Sequence, residues 1–110
     1  MKTIFLASVI LLSGLVQAQT QLWQTLIDTS VTFSSPRPVN LNGDATLDIV
    51  IGGGIDGSPD ARGVVALDGA NGNVLWEFAT DEEMFASAAF GDANGDGQDD
   101  VFIGGRYGEF

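Results

Sequence analysis

The chain has no cysteine and no histidine, and only four basic residues stand against fifteen aspartates and glutamates. Without cysteine there are no disulfides, no thiolate metal sites and no lipid attachment through an N-terminal cysteine. Without histidine the usual ligands of zinc and of the redox metals are gone, and the oxygen ligands that remain favour calcium. The shortage of positive charge removes the groups that neutralise phosphates and argues against nucleic acid as a partner. Long apolar runs are scarce too. One exists, Ile4 to Val16, interrupted only by small residues.

Lys2 ahead of that run and the small-x-small triplet Val16-Gln17-Ala18 behind it give residues 1–18 the form of a secretory signal peptide. The run falls short of the roughly 20 residues that span a bilayer, which disfavours a membrane anchor. Cleavage after Ala18 leaves residues 19–110 with no other hydrophobic span. Export is therefore expected, to the extracellular space, the cell surface or the periplasm, with no membrane insertion of the mature chain. That mature part holds three arginines, Arg37, Arg62 and Arg106, against all fifteen acids, a formal charge of −12. Such charge destabilises a small domain by self-repulsion unless divalent cations neutralise part of it. In an exported chain without disulfides, metal ions are the expected staples.

Short apolar or β-branched runs alternate with Gly, Asp and Asn clusters at intervals of roughly ten residues, the pattern of an all-β protein. Strands are expected at Leu22 to Ile27, Phe33 to Val39, Leu47 to Gly52, Gly63 to Asp68, Asn73 to Ala79, Phe85 to Gly91 and Asp99 to Gly104, with Asp81-Glu82-Glu83 as a charged turn. The run from Asn40 to Gly53 has a second copy from Asp92 to Gly105, displaced by 52 residues, and Leu22-Trp23-Gln24 matches Leu75-Trp76-Glu77 with a displacement of 53. A period near 50 residues with four short strands is the size of one β-propeller blade, which buries its faces only against its neighbours. The expected architecture is thus about one and a half four-stranded blades of a partial β-propeller. One unit spans about residues 22–74 and the second, residues 75–110, stops before its last two strands, as in a fragment of a longer chain. Leu22 to Ile27 reads as the orphan last strand of a blade, which would close the ring by pairing with C-terminal strands.

The two copied loops carry the chemistry. In the second, Asp92, Asn94 and Asp96 offer side-chain oxygens at positions 1, 3 and 5, Gln98 its backbone carbonyl at position 7, and Asp100 a carboxylate at position 9, with Gly97 permitting the turn. Position 12, where a helix-loop-helix calcium site needs a bidentate glutamate, is Ile103, which excludes an EF-hand and counts against dockerin-type loops. Asp100 must then close the shell, with water completing it, while Asp99 points outward or supports from behind. The alternative is an Asp/Asn/Gly hairpin turn that hydrogen-bonds its own backbone. The first loop offers Asn40, Asn42, Asp44, the Thr46 carbonyl and Asp48 at the same positions. With two carboxylates against three at these ligand positions, and Ala45 where the turn favours glycine, it should hold calcium less tightly or serve as a plain turn.

Phe90-Gly91 before Asp-x-Asn-x-Asp-Gly-x-x-Asp, then an apolar strand ending in Gly-Gly, resembles FG-GAP (integrin-alpha-type, VCBS-like) repeats. The resemblance covers roughly Ser34 to Gly53 and Ala86 to Gly105. The first copy departs from it, with Pro38-Val39 in place of Phe-Gly. It implies β-propeller blades with calcium in the hairpin loops. Gly63 to Phe78 is similar to the Ala-Leu-Asp-x-x-x-Gly-x-x-x-Trp repeat of quinoprotein-like propellers. That resemblance implies a packing role between blades for Trp76, with the same part for Trp23, while Asp68 caps a tight turn.

No base, nucleophile or redox centre is legible. Asp99 and Asp100 point to opposite faces of a strand and cannot flank one glycosidic bond. Gly52-Gly53-Gly54 lacks the lysine and the helix of a phosphate loop, and Gly54 to Arg62 reads as a solvated connection. The reading that follows is a secreted, calcium-binding, non-catalytic scaffold or adhesion and recognition module, whose partners are a protein or carbohydrate ligand and the remaining blades of its own chain. The alternative is the N-terminal propeller part of a secreted enzyme, such as a polysaccharide lyase or a quinoprotein-like dehydrogenase.

Overall fold

A computed structural model describes residues 19–107, so the leader expected over residues 1–18 lies outside the described residues. The chain is all-β, with no helix among the described residues. None of these residues forms a helix long and apolar enough to cross a membrane. Four strands, β1 (Arg37–Val39), β2 (Asp48–Gly52), β3 (Arg62–Leu67) and β4 (Val74–Ala79), form an antiparallel meander in that spatial order. Two more, β5 (Ala89–Gly91) and β6 (Asp100–Phe102), form a separate antiparallel hairpin.

Burial explains the order. In β2, Asp48, Val50 and Gly52 are buried while Ile49 and Ile51 are half-buried, the alternation of a strand with one face in the core. Five consecutive residues of β3, Gly63 to Leu67, are buried, as expected of a central strand covered on both faces. The core joins Val39, Val50, Val64 and Ala66 of the first sheet to Met84 and Ala88 of the following connection. Phe90, Val101 and Ile103 of the hairpin region pack against the same cluster, so the hairpin lies on one face of the meander.

Strands form at six of the seven expected places, most with shorter ends and β3 shifted by one residue. The stretch Phe33 to Val39 contributes only its last three residues, because Pro36 has no N–H to give a ladder and side chains take over. The Ser34 hydroxyl accepts from the Gly52 N–H at 3.2 Å, and the Thr32 hydroxyl donates to the Gly52 carbonyl. The seventh expectation is corrected: Leu22 to Ile27 is not a strand. It keeps a period-two alternation, Trp23, Thr25 and Ile27 half-buried and their neighbours exposed, but no ladder forms along it. Side chains hold it instead, the Trp23 indole donating to the Gly69 carbonyl at 2.8 Å and the Thr25 hydroxyl to the Gly72 carbonyl. Trp23 thus fastens the segment to the β3–β4 turn. The meander runs from Arg37 to Ala79, with Val74–Ala79 as its last strand.

The β3–β4 turn is capped as expected. Asp68 accepts from the Ala70 N–H at 2.8 Å and from the Asn71 amide at 3.0 Å, an Asx turn. The Gly54 to Arg62 connection is tied down more than a solvated loop would be: Asp56 pairs with Arg106 and accepts the Glu83 N–H at 3.2 Å. Arg106 also reaches Glu83 at 3.7 Å and stacks its guanidinium on Phe85. The hydrogen bond that Arg106 donates to Asp56 is the main reason its pKa is held above its ordinary value.

Candidate metal centre

Each copied loop joins a three-residue strand to the next strand of its sheet, β1 to β2 and β5 to β6. The ladders correspond too, Val39↔Asp48 in the first and Gly91↔Asp100 in the second. Asp48 and Asp100 are thus the first residues of β2 and β6, and their side chains turn back to hold the loop entry. Asp48 Oδ2 accepts from the Leu41 N–H at 2.8 Å, and Asp100 Oδ2 from the Ala93 N–H at 2.8 Å. Asn42 and Asn94 direct their amides at Oδ1 of the same carboxylates, at 3.4 and 3.5 Å.

Side-chain oxygens at positions 1, 3 and 5 take successive backbone donors in both loops. Asn40 Oδ1 accepts from Gly43 at 2.8 Å and Asp92 Oδ1 from Gly95 at 2.6 Å. Asn42 and Asn94 accept from Asp44 and Asp96, each at 2.9 Å. Asp44 Oδ1 accepts from Thr46 at 2.7 Å and Asp96 Oδ1 from Gln98 at 2.9 Å. Gly43 and Gly95 both take a φ of 78°, a left-handed conformation that suits glycine.

The loops diverge at position 1. In the second, Gly97 also adopts a positive φ, 87°, and its N–H reaches Asp92 Oδ2 at 2.8 Å. In the first, Ala45 does not take a positive φ. There Asn40 closes the loop from the other side, its amide donating to the Asp44 carbonyl at 2.6 Å. An aspartate cannot make that bond, having no donor.

A second divergence lies at position 9. Asp48 is fully buried and takes four N–H donors, since Asn42 N reaches Oδ2 at 3.3 Å and Gly69 N reaches Oδ1 at 3.1 Å besides the two already named. Asp100 is half-buried and takes two. Gly69 is the residue that sequence reading missed. A Cβ there would lie 1.8 Å from the Leu47 carbonyl oxygen, so only glycine lets the β3–β4 turn approach the loop.

Among the described residues, no group of three histidine, cysteine, aspartate or glutamate side chains is placed to hold a metal unaided. A calcium loop does not need one, because amide oxygens, backbone carbonyls and water supply much of its shell. The second loop fits that requirement. All its candidate ligands are oxygens; Asp92 Oδ1 accepts two N–H groups, but Asp92 Oδ2, Asp96 Oδ1 and both oxygens of Asp100 accept one each and keep a lone pair for a cation. Asp92, Asp96, Asp99 and Asp100 stand within nine residues, and none is paired with an arginine or lysine among the described residues. In the first loop only Asp44 and Asp48 carry charge, and Asp48 is already enclosed by N–H groups. Comparison of the chain with protein-family models, curated proteins and solved structures returns no match.

Proposed function

We propose that the chain is a calcium-stabilised β-propeller repeat module of the FG-GAP kind, exported and non-catalytic, that works as a scaffold or recognition domain. The observation that carries this reading is the loop from Asp92 to Asp100. Its four carboxylates lack a cationic partner among the described residues, its candidate ligands are all oxygens, and its turn is held by two glycines of positive φ. A divalent cation there would take Asp92, Asn94, Asp96, the Gln98 carbonyl and Asp100, with water completing the shell, and would relieve the mutual repulsion of the acids. The loop from Asn40 to Asp48 is the weaker site, with Asn42, Asp44 and the Thr46 carbonyl as its remaining donors beside Asn40 and Asp48.

The chemistry supplied by the ion is structural. It would fix the loop that links β5 to β6 and hence the hairpin that packs against the core cluster. Recognition of a protein or carbohydrate would then fall to surfaces that the sheets display. Calcium titration by calorimetry on the wild-type chain and on Asp96→Ala tests this. Uptake by the wild type and its loss in the variant, with the fold retained in both, is the expected result. A folded wild type that takes up no calcium reduces both loops to plain turns and removes the reading.

A further inference from the structure

The segment from Leu22 to Ile27 lies against the β3–β4 turn with no backbone ladder among the described residues. Trp23 and Thr25 hold it there, through the Gly69 and Gly72 carbonyls. The turn they grip is stiff. The Asp68 carbonyl accepts from Gly72 at 2.7 Å, the Asp68 carboxylate from Ala70 at 2.8 Å, and the Asp68 N–H reaches the Asn73 carbonyl at 2.8 Å. Both flanks of the turn are in contact. A Cβ on Gly72 would run into the Trp23 ring and lie 2.7 Å from Thr25 Oγ1, as one on Gly69 would run into the Leu47 carbonyl. Glycine at both places lets the segment, the turn and the first copied loop stack in three close layers.

Gly69 joins the outer layers through its two backbone polar groups. Its carbonyl takes the Trp23 indole N–H at 2.8 Å, and its own N–H goes to Asp48 Oδ1 at 3.1 Å. Asp48 in turn takes the Leu41 and Asn42 N–H groups at the entry of the loop. At the other end of the segment Thr29 has a φ of 51°, a left-handed conformation that is unfavourable for a β-branched residue. Ser30, next to it, is pinned by its hydroxyl to the Arg62 carbonyl at 2.9 Å and to the Gly54 N–H at 2.8 Å. Backbone strain thus sits between a fixed point and a segment that two side chains fasten.

We propose that Leu22 to Ile27 is a strap, hinged at Thr29, whose docking is coupled through Gly69 to the seating of the Asp48 carboxylate in the first loop. The docked strap holds Gly69 against Asp48, and a seated Asp48 holds the turn where the strap docks, so each favours the other by the same factor. Lifting the strap bares Trp23 and Ile27, which are half-buried when it is down. The relay needs no ion. Its response to a cation rests on the calcium reading of the first loop: a cation would replace the Asn42 amide, which meets Oδ1 at 3.4 Å, and leave the Gly69 bond in place. Cation and strap would then hold one carboxylate together, as hydrogen bonds from behind commonly orient a metal ligand.

Hydrogen exchange followed by NMR on the full chain in EDTA tests the relay. Trp23→Phe should speed exchange of the Gly69 and Leu41 amides at least about fivefold, and Asp48→Asn should speed exchange of the Trp23 indole by a similar factor. Ala93 and Gly95, whose N–H groups make the matching bonds in the second loop, are the internal reference and should keep their rates. Val101→Ala, a change in the hairpin, should leave the Trp23 indole as it was. Should Asp48→Asn fail to fold, Thr25→Val serves as a second strap variant and should speed the same two amides. Gly69 and Leu41 at wild-type rates in Trp23→Phe overturn the proposal, as does an equal rise at Ala93, which would mean general loosening. Calcium added in an Asp96→Ala background should slow the Trp23 indole. Coupling that holds in EDTA while calcium leaves Trp23 unchanged supports the relay and counts against a cation at the first loop.

Discussion

Asp48 and Asp100 share a place in their loops and differ in what surrounds them. Four N–H groups converge on the buried Asp48. Replacing one of its oxygens by an amide NH₂ sets donor against donor, and leaving a buried donor unsatisfied costs about 1–3 kcal/mol. Asp48→Asn should therefore lower stability by about 2–3 kcal/mol and Asp100→Asn by under about 1 kcal/mol, read from urea unfolding in EDTA. Asn40 offers the converse test. Its amide bridge to the Asp44 carbonyl stands where the second loop has a carboxylate and a left-handed glycine. Restoring both with Asn40→Asp and Ala45→Gly adds a charge to the shell, and ligand charge is what tunes such sites. Calcium affinity of the first loop should rise on the order of tenfold, as measured by calorimetry in an Asp96→Ala background. The turn pattern of the two loops was legible because spacing alone sets which side-chain oxygens face a turn. The burial of Asp48 was not, because the enclosing donor comes from Gly69, on another strand connection.

Strand positions were legible for a similar reason: period-two alternation and the Gly, Asn and Asp clusters between runs are local signals. Their ends were not, since Ser34 and Thr32 replace ladder bonds to Gly52 only when β2 is beside them. Leu22 to Ile27 shows the limit most clearly. Its residues alternate as a strand should, and Leu22 and Leu26 are 87% and 80% exposed. A strand also needs an adjacent edge, which no run of residues can supply to itself. Here the indole of Trp23 and the hydroxyl of Thr25 anchor the segment to the β3–β4 turn. Trp23→Phe keeps most of the packing and loses the bond to the Gly69 carbonyl, which should lower stability by about 1 kcal/mol. Cleavage of the variant between residues 19 and 29 under limited proteolysis should also become faster, while β1 to β4 stay resistant.

The two sheets meet through the Met84 and Ala88 cluster and through Arg106, which links the connection before β3 to the segment before β5. The acids far outnumber such pairs, so salt screening and any bound cation would act on the molecule as a whole. Calcium at about 100 times its dissociation constant should stabilise the chain by about 2.7 kcal/mol. For a domain of this size that raises Tm by on the order of 10–20 °C. Calorimetric scans in calcium, in EDTA and in sodium chloride of matched ionic strength separate the causes. A rise in calcium no larger than that in sodium chloride would show screening alone.

What the sequence determined by itself was local: an all-β chain, side chains that offer only oxygen acceptors to the two copied turns, the turn glycines and the position of nearly every strand. These follow from backbone preference and residue spacing, which act within a few residues of chain. Tertiary structure decided the rest. It set which strands share a sheet, why Asp48 is enclosed and Asp100 is not, and how Leu22 to Ile27 is held. Each of those depends on contacts between residues far apart in the chain, and such contacts exist only once the sheets have formed and packed.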